Sequence, residues 1–182
     1  MKKDKADLKT GFSNAETVST EKYLTFLIDS QLYTVPTSQV VEIIRMQPIT
    51  FMPNLPKYVK GVINLRGKVV PVIDMRLKFS KEEIAYGVRT SIVIVEHGEM
   101  TVGLIVDFVK DVRDIAQDQI NTAPKSKKSV GKGFVCAIAA LENDSAMVLD
   151  VEKVLTHKHA PSSEGKKAEA AGSPDTDQAA AQ

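Results

Sequence analysis

From Tyr23 to Leu155 the chain alternates short apolar runs with polar breaks. "KYLTFLI", "SIVIVEH" and "AMVLDV" are rich in β-branched residues and end at turn-forming "DSQ", "HGE" and "ENDS". Runs of this kind, recurring at intervals of roughly ten residues, predict the strands of a barrel or sandwich rather than a helical bundle. Four segments predict short helices: "TSQVVEII" after Pro36, "LPKYVKG", "DMRLKFSKEEI" and "DVEKVL". Their lengths suit caps on barrel ends, not a helical layer. Residues 1–21 and 158–182 are polar and aperiodic. They cannot bury enough apolar surface to offset the entropy of ordering, so both are predicted to be disordered tails.

The strands fall into two similar sets. "TFLIDSQLYTVP", Thr25 to Pro36, and "IVIVEHGEMTVG", Ile92 to Gly103, share one pattern. Each is an apolar strand, an acid, a turn, and a bulky residue followed by Thr-Val. Further on, "KG" then "VVPVIDM" in the first set matches "KG" then "AMVLDV" in the second, with Asp74 and Asp150 in corresponding places. A duplication predicts two small barrels side by side, with a groove between them suited to a partner.

"VINLRGKVVPVID", Val62 to Asp74, reads as a hairpin. Alternation puts Val62, Asn64 and Arg66 on one face and Ile63 and Leu65 on the other. Arg66-Gly67 forms the turn, where glycine supplies positive φ. Pro71 cannot donate to a ladder, so its strand is an edge or carries a bulge there. Asn64 and Arg66 therefore project together from a rigid edge, which suits a guanidinium held toward a partner.

Composition narrows the function. The chain has 182 residues, 43% of them hydrophobic, enough for one domain or a fused pair. Cys136 is the single cysteine, so no internal disulfide forms and a reducing compartment is indicated. It alternates with apolar neighbours in "FVCAIA" and is expected to be buried. "MKKDKADLKT" has no apolar stretch behind its charges, and the longest apolar run, "VCAIAAL", is far below the roughly 20 residues that span a bilayer. A cytoplasmic protein with no direct membrane insertion is expected.

A net charge of +1, 5% aromatic residues and no Trp argue against a nucleic-acid platform. The alternative reading, a small β-barrel that binds nucleic acid, rests on the lysines of "PKSKKSVGK", which usually make only a solvated loop. For an enzyme, His97, His157 and His159 have no Ser, Cys or carboxylate at a recognisable spacing, and "GKG" lacks the pattern of a phosphate loop. No catalytic residue, metal site or cofactor is expected.

"YVKGVINLRGKVVPVIDMRLKF", Tyr58 to Phe79, closely resembles the signature of the CheW family of bacterial chemotaxis coupling proteins. "QVVEIIR" upstream, "TSIVIVEHGEMTVGLIVDFVKDV" downstream and "MVLDVEKVL" follow the family's order and spacing. The resemblance implies two linked five-stranded SH3-like barrels within residues 22–157. The first spans about 34–88; the second spans about 89–155 and takes in the N-terminal strand. It implies a scaffold with two partners, the cytoplasmic tip of methyl-accepting chemoreceptors and the regulatory domain of the histidine kinase CheA. By the same resemblance Val40, Gly61, Asn64, Arg66, Gly103 and Val109 line the receptor groove. Glu42 and Ile43, expected on a helix, face the kinase. Arg45 to Pro48 matches no fixed family pattern.

Overall fold

The computed structural model describes residues 19–122, 133–142 and 144–156. Residues 1–18 of the predicted N-terminal tail, the predicted C-terminal tail, His157, His159 and the whole lysine-rich loop lie outside the described residues. Thr20 and Glu21, expected in the N-terminal tail, already pair with a neighbouring strand.

The strands are β1 (Thr20–Ile28), β2 (Gln31–Pro36), β3 (Val40–Arg45), β4 (Val59–Leu65), β5 (Lys68–Asp74), β6 (Ser91–His97), β7 (Met100–Val106), β8 (Phe108–Ala116), β9 (Ile120–Thr122), β10 (Val135–Ala140) and β11 (Ser145–Leu149). Helix α1 (Met75–Lys78) follows β5 and α2 (Val151–Thr156) follows β11. Single 3-10 turns, Thr37–Gln39 and Gln117–Gln119, precede β3 and β9.

Hydrogen bonding orders one sheet β3-β6-β7-β5-β4 and the other β8-β1-β2-β11-β10-β9. Each closes through its own chain. Beyond β3, Thr50 exchanges both backbone bonds with Val62 of β4, at 2.8 and 2.9 Å. On the other side β9 follows β8 around the 3-10 turn and pairs with β10. The result is two linked β subdomains. Ser91–Val106, expected in the second barrel, lies in the first sheet because β5 pairs parallel with β7 from Val72↔Gly103 to Asp74↔Ile105. Each hairpin thus joins strands from the other half of the chain: β1-β2 joins β8, β9, β10 and β11, and β6-β7 joins β3, β4 and β5.

The duplication is visible in the registers. Bulges fall at Val59/Gly61 in β4 and at Val135/Ala137 in β10. Asp74 donates its N–H to the Tyr58 carbonyl at 2.7 Å, and Asp150 donates to Phe134 at 2.8 Å. Asp74 and Asp150 then cap α1 and α2 by accepting from Leu77 and Lys153 N–H.

Two-sided burial explains why the hairpin strands read as unbroken apolar runs. In β1, Leu24, Phe26 and Ile28 enter a central core shared by both sheets, while Tyr23 and Leu27 face the interior of the six-stranded barrel. In β6, Val93 and Val95 enter the shared core, while Ile92 and Ile94 fill the five-stranded barrel. Phe79 stacks between Tyr33 and Phe134 in the shared core, with ring centroids 5.2 and 5.7 Å away.

Three predicted helices are shorter or differ. "TSQVVEII" is one 3-10 turn and then strand, because the β-branched Val40, Val41, Ile43 and Ile44 pair with β6. "LPKYVKG" is a turn entering β4, and "DMRLKFSKEEI" stops after Lys78, near the positive φ of Ser80. "DVEKVL" matches α2 closely.

Candidate functional site

The β4-β5 turn carries Arg66 and Gly67, both at positive φ, +52° and +84°, the geometry of a tight hairpin reversal. Asn64 holds it shut: its Oδ1 accepts the Gly67 N–H at 2.8 Å. Ile63 and Leu65 turn into the barrel core as the alternation predicts. Pro71 lies just before the ladder to β7, on a stretch of β5 that pairs only with β4.

From this turn Arg66 reaches β3, where its Nη2 donates to Glu42 Oε2 at 2.8 Å. The Arg66 side chain is 81% exposed and the Glu42 side chain 22%. The resemblance gave these residues to different partners; the fold joins them in one ion pair. Val41, Ile43 and Arg45 alternate with Val40, Glu42 and Ile44, so Ile43 is exposed. Glu42 is on a strand rather than the expected helix.

Val40 and Val109 are both half-buried and pack on the shared core. They sit at corresponding places, Val40 next to the bulge of β3 and Val109 next to that of β8. Each enters the site from a different subdomain.

Gly61 and Gly103 are buried in barrel packing. At Gly61, φ is +138° and an added Cβ would lie 2.1 Å from the Thr50 carbonyl oxygen at the closure of the barrel. At Gly103 an added Cβ would lie 2.7 Å from both Ile92 Cγ2 and Val72 Cγ1. Their missing side chains make room for the first barrel itself.

Elsewhere a recess of about 420 Å³ is lined by Glu21, Tyr23, His97, Cys136, Asp150 and Glu152, among others. Cys136 is exposed there, not buried as expected, because β10 turns Ala137 and Ala139 inward in its place. Desolvation pushes its thiol pKa up, and burial with the Glu21 bond pushes the Tyr23 phenol up to about 12. Neither is an activated nucleophile. Among the described residues no group of three or more His, Cys, Asp or Glu is placed to hold a metal ion.

Sequence reasoning missed Lys78. Its Nζ lies 4.1 Å above the Tyr58 ring and 5.3 Å from that of Phe134, buried in the shared core, where desolvation lowers the ammonium pKa. A lysine in a short amphipathic stretch gives no signal of this. Thr50, the closing residue, was equally invisible, since a single bridge has no periodicity.

Comparison with known proteins agrees with this architecture. The family model described as a CheW-like domain matches residues 22–159. Chemotaxis protein CheW of Klebsiella aerogenes is 33% identical over 141 residues, 78% of this chain and 84% of that protein. CheW of Bacillus subtilis is 32% identical over 150 residues, 82% and 90% of the two chains. The crystal structure of the scaffolding protein TtCheW from Thermoanaerobacter tengcongensis matches with a TM-score of 0.72 and 29% identity, over 76% of this chain and 94% of that one. With its two reciprocally completed barrels and this match across most of its length, the chain belongs to the CheW family of chemotaxis scaffold proteins.

Proposed function

We propose that the chain is a non-catalytic, cytoplasmic adaptor that couples the helical tip of methyl-accepting chemoreceptors to the regulatory domain of the histidine kinase CheA. The observation that carries this reading is that Val40 and Val109, from two different subdomains, both pack half-buried on one shared core. Apolar side chains presented by two subdomains over one core suit a helix laid lengthwise in a cleft between them. Beside it, the exposed Ile43 and the Glu42–Arg66 pair offer a second face with one apolar contact and one charged anchor.

Nothing in this reading needs turnover. In the recess, burial pushes the Cys136 thiol and the Tyr23 phenol up rather than down, so neither is activated as a nucleophile there. Among the described residues no helix is long and apolar enough to cross a membrane. Membrane proximity then comes through the receptor.

The test is reconstitution: kinase and receptor fragments, with autophosphorylation followed with and without the purified chain. Receptor control of the kinase that requires the chain is the expected result. Equal kinase activity in its absence, with no co-sedimentation of the three components, would overturn the proposal.

A further inference from the structure

Between β7 and β8 the chain leaves one sheet and enters the other, and Asp107 is the single residue at that joint. Arg76 of α1 grips its carboxylate with two parallel bonds, Nε to Oδ1 and Nη2 to Oδ2, both at 2.7 Å. Asp29, in the β1-β2 turn of the other subdomain, donates its backbone N–H to the same Oδ2 at 2.7 Å. Arg76 Nη1 also reaches Asp29 Oδ1 at 3.4 Å, and Lys81 bonds Asp29 Oδ2 at 2.8 Å. The Arg76 side chain is only 16% exposed, so the fork is shielded from solvent. Asp107 N–H donates to the Leu27 carbonyl and so continues the β1-β8 ladder. Two residues later comes Val109, paired with Phe26.

The opposite crossover is built differently. There the Thr37–Gln39 turn carries the chain from β2 into β3, delivering Val40. The α2 residue that corresponds to Arg76 is Glu152, whose carboxylate lies 3.7 Å from His97 Nε2 and makes no fork like that of Arg76 among the described residues. Gln39 Oε1 is buried there without a hydrogen-bond partner among the described residues. The Val109 crossover is clamped by charged bonds, whereas the Val40 crossover has no such clamp among the described residues and carries an unpartnered buried amide oxygen.

We propose that Arg76 is a positioning residue of the receptor cleft: by gripping Asp107 at the crossover it fixes Val109 as a rigid wall and leaves the Val40 wall to adapt to the bound helix. The proposal rests on the assignment of that cleft to the receptor.

The test uses the full chain as wild type, Arg76→Ala, Asp107→Asn, the swap Arg76→Asp with Asp107→Arg, and Val109→Asp. Methyl NMR follows Val109, Val40 and Ile43, and affinity is measured for a receptor-tip fragment and for the kinase regulatory domain. Arg76→Ala should shift or broaden the Val109 methyls while sparing Ile43, and weaken receptor binding about tenfold. Kinase-domain affinity should stay within about twofold, since that face lies apart from the joint. The swap should recover part of the loss. Should Arg76→Ala fail to fold, Asp107→Asn keeps the shape, removes the charge and gives the same readout. Unmoved Val109 methyls, or equal loss for both partners, would overturn the positioning role. Full receptor binding by Val109→Asp would overturn the cleft assignment and the role with it, and the methyl shifts distinguish the two failures.

Discussion

Arg66 and Glu42 meet at 2.8 Å although 24 residues separate them, because β3 and β4 become neighbours only where Thr50 closes the barrel on Val62. The pair is a product of closure. Asn64 fixes the turn beneath it, so the guanidinium leaves the surface from a defined point with one of its faces already engaged.

Charge reversal at this pair separates signalling from stability. Arg66→Glu sets two carboxylates face to face and should lower receptor-dependent kinase autophosphorylation severalfold. With Arg66 so exposed, the pair itself is worth about 0–1 kcal/mol, so Tm should move by no more than about 4 °C. Adding Glu42→Arg should restore part of the activity. Wild-type activation by Arg66→Glu alone would mean that the pair has no part in coupling.

Glycine substitutions should act through the fold. Gly61→Ala drives a Cβ into the Thr50 carbonyl at a φ that side chains avoid, and Gly103→Ala crowds Ile92 and Val72. Each should cost about 2–4 kcal/mol in urea unfolding and weaken receptor and kinase binding together. Gly98, at φ +60° with open space around it, is the control: alanine there should cost about 1 kcal/mol. A loss of receptor binding alone in Gly61→Ala, with stability intact, would return that position to the cleft.

Much of this architecture was legible in the sequence, and its limits have physical causes. Repeated apolar runs announced two barrels, and Arg66-Gly67 announced its turn, because both signals are local. Glu42 was expected on a helix because "QVVEII" places polar residues at helical spacing, and only pairing with β6 makes it a strand. Sheet membership failed at β6 and β7 for a related reason: a run buried on both faces does not say which half supplies its neighbours. The roles of Gly61 and Gly103 depend on Thr50 and Val72, which no spacing ties to them.

The two caps should differ in weight. Asp74 is buried and accepts both the Leu77 N–H and the Tyr86 hydroxyl, at 3.2 and 2.8 Å. Asp150 caps α2 at a more open place through Lys153. Asp74→Ala should cost about 2–3 kcal/mol, since it also strands a phenol, and Asp150→Ala about 1 kcal/mol. Denaturant midpoints compare them directly. Equal losses would mean that the Tyr86 contact contributes nothing.

Acid should loosen the β1-β8 ladder through Asp111. The Arg113 guanidinium bonded to this carboxylate, with the Thr25 hydroxyl, holds its pKa below the ordinary value of 3.8. A depressed folded-state pKa means that the unfolded chain takes up the proton first as pH falls. The contribution is therefore complete above about pH 4–5 and is lost as pH drops through the folded value. Because both side chains are about a third exposed, solvent screening keeps it under about 1 kcal/mol. Asp111→Asn keeps an oxygen for Thr25 but cannot titrate. Unfolding free energy followed from pH 6 down to about 2.5 should therefore fall less steeply in the variant than in wild type. Parallel curves would place the acid sensitivity in other carboxylates, Asp29 first among them, because its Lys81 and Arg76 contacts depress its pKa in the same direction.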